Sequence, residues 1–267
     1  MQKKIFFFDY DGTLVHNTTK QIPESAMRAL QELKKQGHIL FVNTGRTKGI
    51  VDPEIYDWPF DGMILGCGTY ITYHDEIWLD EAVDEKDHET IQNIMNKYHS
   101  EAFYEGKDCL YISDHIQHKD LINMITRYKE NGITILPDTT EHKSFSKLFV
   151  CMPDISQKEA FVDEMGAYFT YINRGIDRCE FVPKGYSKAT GIQFVCEKLG
   201  VDKEDCFVFG DSNNDMPMFE YISNSVLIGG ENPELSKHVM YTSCEALEDG
   251  VEKALIALGF IKQECVK

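Results

Sequence analysis

The chain has 267 residues, of which 42% are apolar and 27% are charged. This length suits one large domain or two of ordinary size, each able to bury a hydrophobic core. Lysine and arginine number 27 against 44 acidic residues, and the resulting formal charge of -17 disfavours binding to nucleic acid or to an anionic membrane. A small anionic substrate is compatible with this charge, because one site can hold a bound cation or local positive charge.

The first apolar run, residues 5–8, is too short for a signal-peptide hydrophobic region of about 7 to 15 residues or a membrane span of about 20. We therefore expect a cytoplasmic protein. Buried, reduced thiols are expected for the cysteines, because they form no CxxC pair and most lie in apolar stretches. The cysteines are at positions 67, 109, 151, 179, 196, 206, 244 and 265.

The two ends of the chain alternate predicted strands with predicted helices. The predicted strands are 4–8, 38–43, 62–65, 206–209 and 226–228, and the predicted helices are 24–36, 189–199, 216–221 and 246–258. Apolar residues at helical spacing, as in 24–36, and short buried apolar runs carry these assignments. The alternation favours an α/β fold, with a doubly wound, Rossmann-like and mostly parallel sheet covered by helices on both faces.

The middle of the chain has hairpin spacing instead. Its predicted strands are 70–73, 77–79, 102–104, 110–113, 133–135, 147–152, 169–173 and 178–182. Three helices are predicted: one that ends at about residue 97, one near 120–131 and one at 156–165. This pattern favours a separate antiparallel sheet with helices on one face, an α+β unit. We predict a core domain of residues 1–81 and 184–267 and an inserted domain of residues 82–183, joined by two short tethers that suit hinge motion.

Two aspartates follow the first strand. Asp9 and Asp11 are two positions apart, so that extended geometry places both carboxylates on one side. Ligands of open parallel sheets collect outside the carboxyl ends of strands, which is where this pair lies. A hard cation with oxygen ligands would offset the repulsion between the carboxylates. The alternative is an Asx-turn at the strand end, with Gly12 in the turn.

A second acidic loop follows the strand at 206–209. If the two strands are neighbours, Asp211 can join Asp9 around one Mg²⁺, which prefers a few carboxylates and water. Asn214 and Asp215 would then orient the loop or a metal-bound water from outside the ligand shell. The alternative is that these residues cap the helix that begins near Met216.

Two further segments offer groups that bind anions. Thr44 can donate its hydroxyl, and the loop at Gly45 its backbone N–H groups, to a phosphoryl oxygen. Arg46 can hold another anionic or hydroxylated part of a substrate with its planar guanidinium. Lys184 and Lys188, before a predicted helix, compete as the cation for the same oxygens. An ordinary surface turn and a solvated lysine are the alternatives.

Together and in this order, the four segments resemble the motifs of the haloacid dehalogenase superfamily of phosphatases. The position of the inserted domain and its mixed pattern resemble the Cof-like type IIB branch. The resemblance covers the whole chain, by motif in the core and by pattern alone in the inserted domain. Tyr10 and Asn43 depart from the residues more usual in the family, at positions that carry no reacting group.

The resemblance implies a role for each motif residue. Asp9 would attack phosphorus and form an aspartyl-phosphate, and Asp11 would protonate the leaving alcohol and then activate the hydrolytic water. Mg²⁺ would be held by Asp9, the backbone carbonyl of Asp11, and Asp211. Thr44 and Lys188 would hold the phosphoryl oxygens. These residues suffice for phosphoryl transfer, which depends mainly on positioning and charge stabilisation.

The expected substrate is a small phosphorylated metabolite, with sugar phosphates as the first expectation and others, such as flavin mononucleotide, behind. The inserted domain would select it, and Arg178 and Glu180 are candidates for that role, unless they are exposed strand charges. A phosphomutase of the same superfamily and a non-catalytic sensor of a phosphorylated metabolite are the alternative functions. The sequence indicates no fixed protein partner and decides no oligomeric state.

Overall fold

The structure is a computed structural model that describes residues 3–230 and 232–262. Its strands, in chain order, are β1 (Ile5–Phe8), β2 (Ile39–Asn43), β3 (Gly62–Leu65), β4 (Tyr70–Tyr73), β5 (Glu76–Asp80), β6 (Glu101–Glu105), β7 (Leu110–Ile112), β8 (Ile135–Pro137), β9 (Lys147–Cys151), β10 (Phe169–Asn173), β11 (Arg178–Pro183), β12 (Cys206–Gly210), β13 (Ser225–Leu227) and β14 (Tyr241–Thr242). Its helices are α1 (Glu24–Lys35), α2 (Glu85–Lys97), α3 (Lys119–Glu130), α4 (Lys158–Met165), α5 (Lys188–Leu199), α6 (Met216–Tyr221), α7 (Pro233–Ser236) and α8 (Gly250–Ala257).

The first sheet has the strand order β14-β13-β12-β1-β2-β3-β4-β5. The neighbours from β14 to β3 are parallel, and β4 runs antiparallel to β3. β1 therefore lies between β12 and β2, with Phe8 level with both Phe209 and Val42. Because parallel strands end at the same edge, the segments that follow β1, β2 and β12 emerge side by side there.

Helices cover both faces of this sheet, as the doubly wound prediction requires. On one face α1 packs against α8, and Phe260, just beyond α8, meets the ring of Phe6 edge-on. On the other face the side-chain amide of Asn43 donates to the carbonyl oxygen of Lys188 in α5 and contacts the sulfur of Met218 in α6. The predicted mostly parallel α/β core is confirmed.

The chain divides into two compact units. The first unit comprises residues 1–45, 54–78 and 187–267, and the second comprises residues 46–53 and 79–186. The predicted insertion, 82–183, falls within the second unit. That unit also takes up the segment 46–53, which the sequence pattern assigned to the core.

The second unit is built on the sheet β10-β11-β9-β6-β7-β8, in which all neighbours are antiparallel except β7 and β8. The prediction that its helices lie on one face is wrong. Tyr104 of β6 packs in a core that includes residues of α2 and α4, whereas its neighbour Phe103 packs with Leu121 of α3. Successive strand residues point to opposite faces, so α3 covers the face opposite to α2 and α4.

Two other predicted elements differ in the structure. The helix predicted for 246–258 is divided, because Asp249 adopts a left-handed conformation with φ of 64° between a short 3-10 turn and α8. The strand predicted for 133–135 begins only at Ile135 and continues to Pro137. Left-handed backbone at a single residue gives no signal in apolar periodicity, which is why the interruption was missed.

The cysteines of the described chain are free thiols, and all except the partly exposed Cys244 are buried. The predicted burial is therefore found at all of these positions except Cys244. Cys265 lies outside the described residues. Within the described part of the chain, no helix combines the length and the apolar character that a membrane crossing requires.

Candidate active site

Asp9 is the first residue beyond β1 and is almost fully buried. Its backbone N–H donates to the carbonyl oxygen of Phe209 at 2.8 Å, which continues the β1–β12 pairing by one residue. The sheet therefore fixes the backbone from which the Asp9 carboxylate projects, at the edge where β2 and β12 also end.

Lys188 meets this carboxylate from the start of α5. Ser187 caps the helix: its hydroxyl accepts from the N–H of Thr190 at 3.2 Å, and its own N–H donates to the Thr190 hydroxyl at 2.9 Å. The Lys188 ammonium is fully buried and pairs with Asp9 and, at 2.5 Å, with Asp215. Lys184, the competing candidate, lies exposed in the turn before the helix. The structure thus brings Lys188 to the carboxylates.

Asp215 holds the loop after β12 in place. One of its carboxylate oxygens accepts from the backbone N–H groups of Asp211 and Ser212, at 2.9 and 3.0 Å, while the other faces Lys188. Gly210 makes this possible, because a Cβ at that position would lie 2.6 Å from Cγ of Asp215. Asn214 accepts from the Ser212 hydroxyl at 2.5 Å. Both predicted supporting residues therefore lie in the loop, and Asp215 also reaches the charged centre.

Three carboxylates converge at this edge. One oxygen from each of Asp9, Asp211 and Asp215 lies within 4.8 Å of the others. The predicted ligand set combined the carboxylates of Asp9 and Asp211 with the backbone carbonyl of Asp11. Among the described side chains, Asp215 joins Asp9 and Asp211 as the third carboxylate of this cluster.

The cluster has excess negative charge, since three carboxylates face one ammonium. Burial raises the pKa of Asp9, which the Lys188 charge opposes and the charges of Asp215 and Asp211 reinforce. Burial and the Asp215 charge raise the pKa of Asp211 to about 6. Burial lowers the pKa of Lys188, but attraction to Asp215 and Asp9 raises it by more than burial lowers it, so the net shift is upward. A divalent cation bound beside Asp9 and Asp211 would relieve the repulsion that helps to raise the pKa values of these two carboxyl groups.

Gly12 lets two loops approach closely at this site. Its φ of +90° is accessible to glycine without strain, and a Cβ there would lie 2.2 Å from a carboxylate oxygen of Asp211. The hydroxyl of neighbouring Thr13 lies 3.3 Å from the other oxygen of Asp211. The loops after β1 and β12 are thus fitted around the Asp211 carboxylate.

Asp11 lies in a tight turn after β1, and its side chain is about one-third exposed. The N–H of Gly12 donates to the carbonyl oxygen of Val15 at 2.7 Å and closes this turn. The Asp11 carboxylate forms an ion pair of 3.2 Å with Lys20, a residue that sequence analysis did not single out and whose φ is 56°. Asp11 is therefore more accessible than Asp9, with a cation beside it.

The third motif is divided between the two units. Thr44 is buried at the end of β2, where its N–H donates to Ile64 at 2.9 Å and its carbonyl oxygen accepts from Cys67. Gly45 is the last residue of this stretch of the first unit, and Arg46 belongs to the second unit, where its guanidinium pairs with Asp52 at 2.8 Å. The sequence gives no indication of the role of Asp52, because no local pattern links it to Arg46.

The inserted-domain candidates Arg178 and Glu180 are both engaged in ion pairs. Arg178 pairs with Asp120 at 3.1 Å. Glu180 is buried and pairs with Lys147 at 3.0 Å. Glu180 is therefore not an exposed strand charge, which was the alternative for it.

This edge of the sheet therefore combines a buried lysine with three carboxylates that follow neighbouring parallel strands. Comparison with known proteins identifies the family. The model of the haloacid dehalogenase-like hydrolase family matches residues 6–255, and the chain belongs to this family.

Relatives along the full length bear names of phosphatases. YkrA of Bacillus subtilis (strain 168), named as a phosphatase, is 27% identical over 265 residues that cover 98% of this chain and 100% of that protein. YitU of the same organism, named 5-amino-6-(5-phospho-D-ribitylamino)uracil phosphatase, is 24% identical over 270 residues that cover 92% and 94%. Family and relatives identify the chain as a phosphoric monoester hydrolase.

Solved structures share the fold. The HAD subclass IIB sugar phosphatase BT4131 superposes with a TM-score of 0.83 at 22% identity, covering 97% of this chain and 100% of that one. Hydrolases of this family generally use a divalent metal ion, and the carboxylates of Asp9 and Asp211, with Asp215 beside them, provide oxygen atoms of the kind that such an ion binds.

Proposed function

We propose that the chain is a magnesium-dependent phosphatase that hydrolyses small phosphorylated metabolites through an aspartyl-phosphate on Asp9. One observation carries this proposal: the buried Lys188 ammonium lies between Asp9 and Asp215, beside the carboxylate of Asp211. A dianionic phosphate can approach a carboxylate nucleophile only where positive charge offsets the repulsion.

In the first step, the Asp9 carboxylate oxygen forms a bond to phosphorus as the bond to the ester oxygen breaks. Asp11 donates a proton to the departing alkoxide, so that a neutral alcohol leaves. In the second step, Asp11 takes a proton from water as that water attacks phosphorus, which releases inorganic phosphate and regenerates Asp9. The partial exposure of Asp11 supports this role, because it must meet both the leaving group and water.

Lys188, Thr44 and the backbone at Gly45 would hold the oxygens of the transferred group. Lys188 is suited to this task because its surroundings raise its pKa and keep it charged throughout the pH range of the reaction. Mg²⁺, when bound by Asp9, Asp211 and the backbone carbonyl of Asp11, supplies further positive charge to the phosphoryl oxygens. Asp215 supports the site by holding both the Asp211 loop and the ammonium.

The substrate is proposed to be a sugar phosphate. The fold similarity to a protein described as a sugar phosphatase supports this choice, and Arg46 would bind a hydroxylated or anionic part of the leaving group. The second unit, which contains the predicted inserted domain 82–183, would select the substrate. YitU, at comparable identity, is named for another phosphorylated substrate, so a panel of phosphorylated metabolites assayed for phosphate release is the deciding experiment.

The covalent step can be tested by replacing Asp9. Asp9→Asn should abolish phosphate release, whereas Asp75→Asn, an exposed aspartate in the β4–β5 turn, should leave it unchanged. Circular dichroism would verify that both variants fold. Ordinary turnover by Asp9→Asn would contradict the nucleophile assignment.

The role of Asp11 has a separate signature. With p-nitrophenyl phosphate, whose leaving group needs no proton, Asp11→Asn should release a burst of p-nitrophenolate and then stall, because the second step lacks its base. Steady turnover should fall by about 10² to 10⁴. Borohydride added during the stall should reduce the acyl phosphate and convert position 9 to homoserine, which peptide mass spectrometry detects.

Product analysis tests the reaction type. Release of inorganic phosphate from glucose 6-phosphate supports hydrolysis, an isomerised hexose phosphate would indicate a phosphomutase, and tight binding without turnover would indicate a sensor.

The predicted cytoplasmic location belongs to this proposal as well, and fractionation of cells that express the tagged protein would test it.

A further inference from the structure

The segment that follows the third motif is anchored inside the second unit. The N–H of Gly49 donates to the carbonyl oxygen of Gly106 at 3.2 Å, and Ile50 packs in the same core as Phe103 and Leu121. A Cβ on Gly49 would lie 2.6 Å from that carbonyl oxygen, so the two backbones are in close contact. Residues 46–53 therefore form a fixed part of the second unit rather than a loose loop.

Within this segment, Arg46 is held by a short series of polar contacts. Its Nη1 donates to Oδ2 of Asp52 at 2.8 Å, and the two side chains are only 12% and 21% exposed. Oδ1 of Asp52 accepts from the side-chain amide of Asn131 at 3.2 Å. Asn131 immediately follows α3 and caps it, since its backbone N–H donates to carbonyl oxygens in the last turn of that helix. Asp52 therefore connects the Arg46 guanidinium to the end of a helix of the second unit.

We propose that Asp52 is a positioning residue for Arg46 and sets how tightly the enzyme binds the leaving-group part of its substrate. This inference rests on the proposed function, in which Arg46 contacts that part of the substrate. A free arginine side chain populates many rotamers, and a binding group that is already held in one orientation loses less freedom when it binds. The pair with Asp52 fixes one nitrogen of the guanidinium in a defined direction.

The position of Arg46 in the chain makes its orientation consequential. It follows Gly45 directly, although Gly45 belongs to the first unit and Arg46 to the second. Its orientation is therefore set by Asp52 and α3, within the unit to which Arg46 belongs.

The experiment compares Asp52→Ala and Arg46→Ala with the double variant, using kcat and KM for glucose 6-phosphate and p-nitrophenyl phosphate. We expect Arg46→Ala to raise the KM for glucose 6-phosphate at least tenfold. Asp52→Ala should raise it about tenfold, equivalent to about 1.4 kcal/mol, with kcat changed less than about twofold. Asn131→Ala should raise it less. The double variant should match Arg46→Ala, because Asp52 acts only through the guanidinium.

Lys48→Ala is the matched control, since Lys48 lies in the same segment and pairs with Asp108 at 3.3 Å on the surface. It should leave both constants unchanged. Melting temperatures would be measured for every variant, and Asp52→Asn, which keeps the shape and removes the charge, replaces Asp52→Ala if the latter does not fold.

The outcomes separate the two proposals. An unchanged KM in Arg46→Ala would remove the substrate role of Arg46 and, with it, the role of Asp52. A raised KM in Arg46→Ala with an unchanged KM in the folded Asp52 variant would overturn the positioning proposal alone. The same conclusion would follow if Asp52→Ala raised the KM by the same factor in the Arg46→Ala background as in the wild-type enzyme. Absence of turnover on both substrates in the wild-type enzyme would count against a sugar phosphate as substrate and would overturn the role of Asp52 that rests on it.

Discussion

Replacing Lys188 with methionine removes the ammonium that pairs with both Asp9 and Asp215, while keeping most of the side-chain volume. The lysine side chain is 0% exposed, and its partners Asp9 and Asp215 are 5% and 0% exposed. Removal of one partner from a buried ion pair costs about 3–5 kcal/mol, because it leaves an uncompensated charge in the interior. We expect a loss of this size in the free energy of unfolding, measured by urea denaturation at pH 8 in EDTA.

The loss should depend on pH in a defined direction. Burial raises the pKa of Asp9 and the Lys188 charge opposes this rise, so that removal of the lysine raises the pKa further. The native variant then holds a proton at pH values where an unfolded aspartate, with a pKa near 3.8, has lost it. The free energy of unfolding of the variant therefore falls as pH rises from the unfolded pKa of Asp9 through its native pKa. The loss of stability relative to wild type should be smaller at pH 5 than at pH 8.

Lys35→Met is the control for this experiment. Lys35 lies at the end of α1 in the same unit and forms a 3.7 Å pair with Glu32, but its side chain is 74% exposed. An exposed pair of this kind contributes about 0.5 kcal/mol or less. A Lys188→Met variant whose stability lies within about 1 kcal/mol of wild type at pH 8 would refute the reasoning, as would a deficit that is equal at the two pH values. A variant that folds at pH 5 and not at pH 8 would support it.

Three further predictions concern charge, backbone and metal. Lys147→Met should destabilise the protein by about 3–5 kcal/mol, because Lys147 pairs with the buried side chains of Glu105 and Glu180. The loss should be larger at pH 8 than at pH 5, since burial already raises the pKa of Glu105. Equal urea midpoints for variant and wild type at both pH values would contradict this. Gly12→Ala should cost about 1–3 kcal/mol and lower kcat at least tenfold, because φ of +90° strains alanine and its Cβ meets Asp211; calorimetry and phosphate release test both, and unchanged kcat would count against it. EDTA should abolish phosphate release and Mg²⁺ restore it while raising the melting temperature; metal-independent hydrolysis would show the magnesium assignment to be wrong.

Local sequence was sufficient where one pattern decides one element. The apolar run that became β1 and the run 62–65 that became β3 were predicted within one residue, because buried strands of a parallel sheet are continuous apolar segments. The faces of the second sheet could not be predicted in this way. Apolar alternation shows that a strand has two faces and does not say which helix covers each, which is why the place of α3 was wrong.

The placement of Asp9 and Asp211 at strand ends was readable from the sequence, because both follow short apolar runs. Their convergence required the strand order, in which β12 is the neighbour of β1. The supporting contacts were less accessible still. Asp52 and Lys20 are ordinary polar residues in the sequence, and their ion pairs with Arg46 and Asp11 form only through the loops of the folded chain.

By itself, the sequence determined the alternating α/β character, the acidic strand ends and the candidate residues, because hydrophobic periodicity and strand-end chemistry are local properties of the chain. Only the tertiary structure decided which charges meet. Lys188 is 179 positions from Asp9, and their ion pair depends on the capped start of α5 lying against the edge of the first sheet. It likewise decided that Arg46 belongs with α3 and not with Thr44, since contacts between distant segments follow from packing rather than from spacing along the chain.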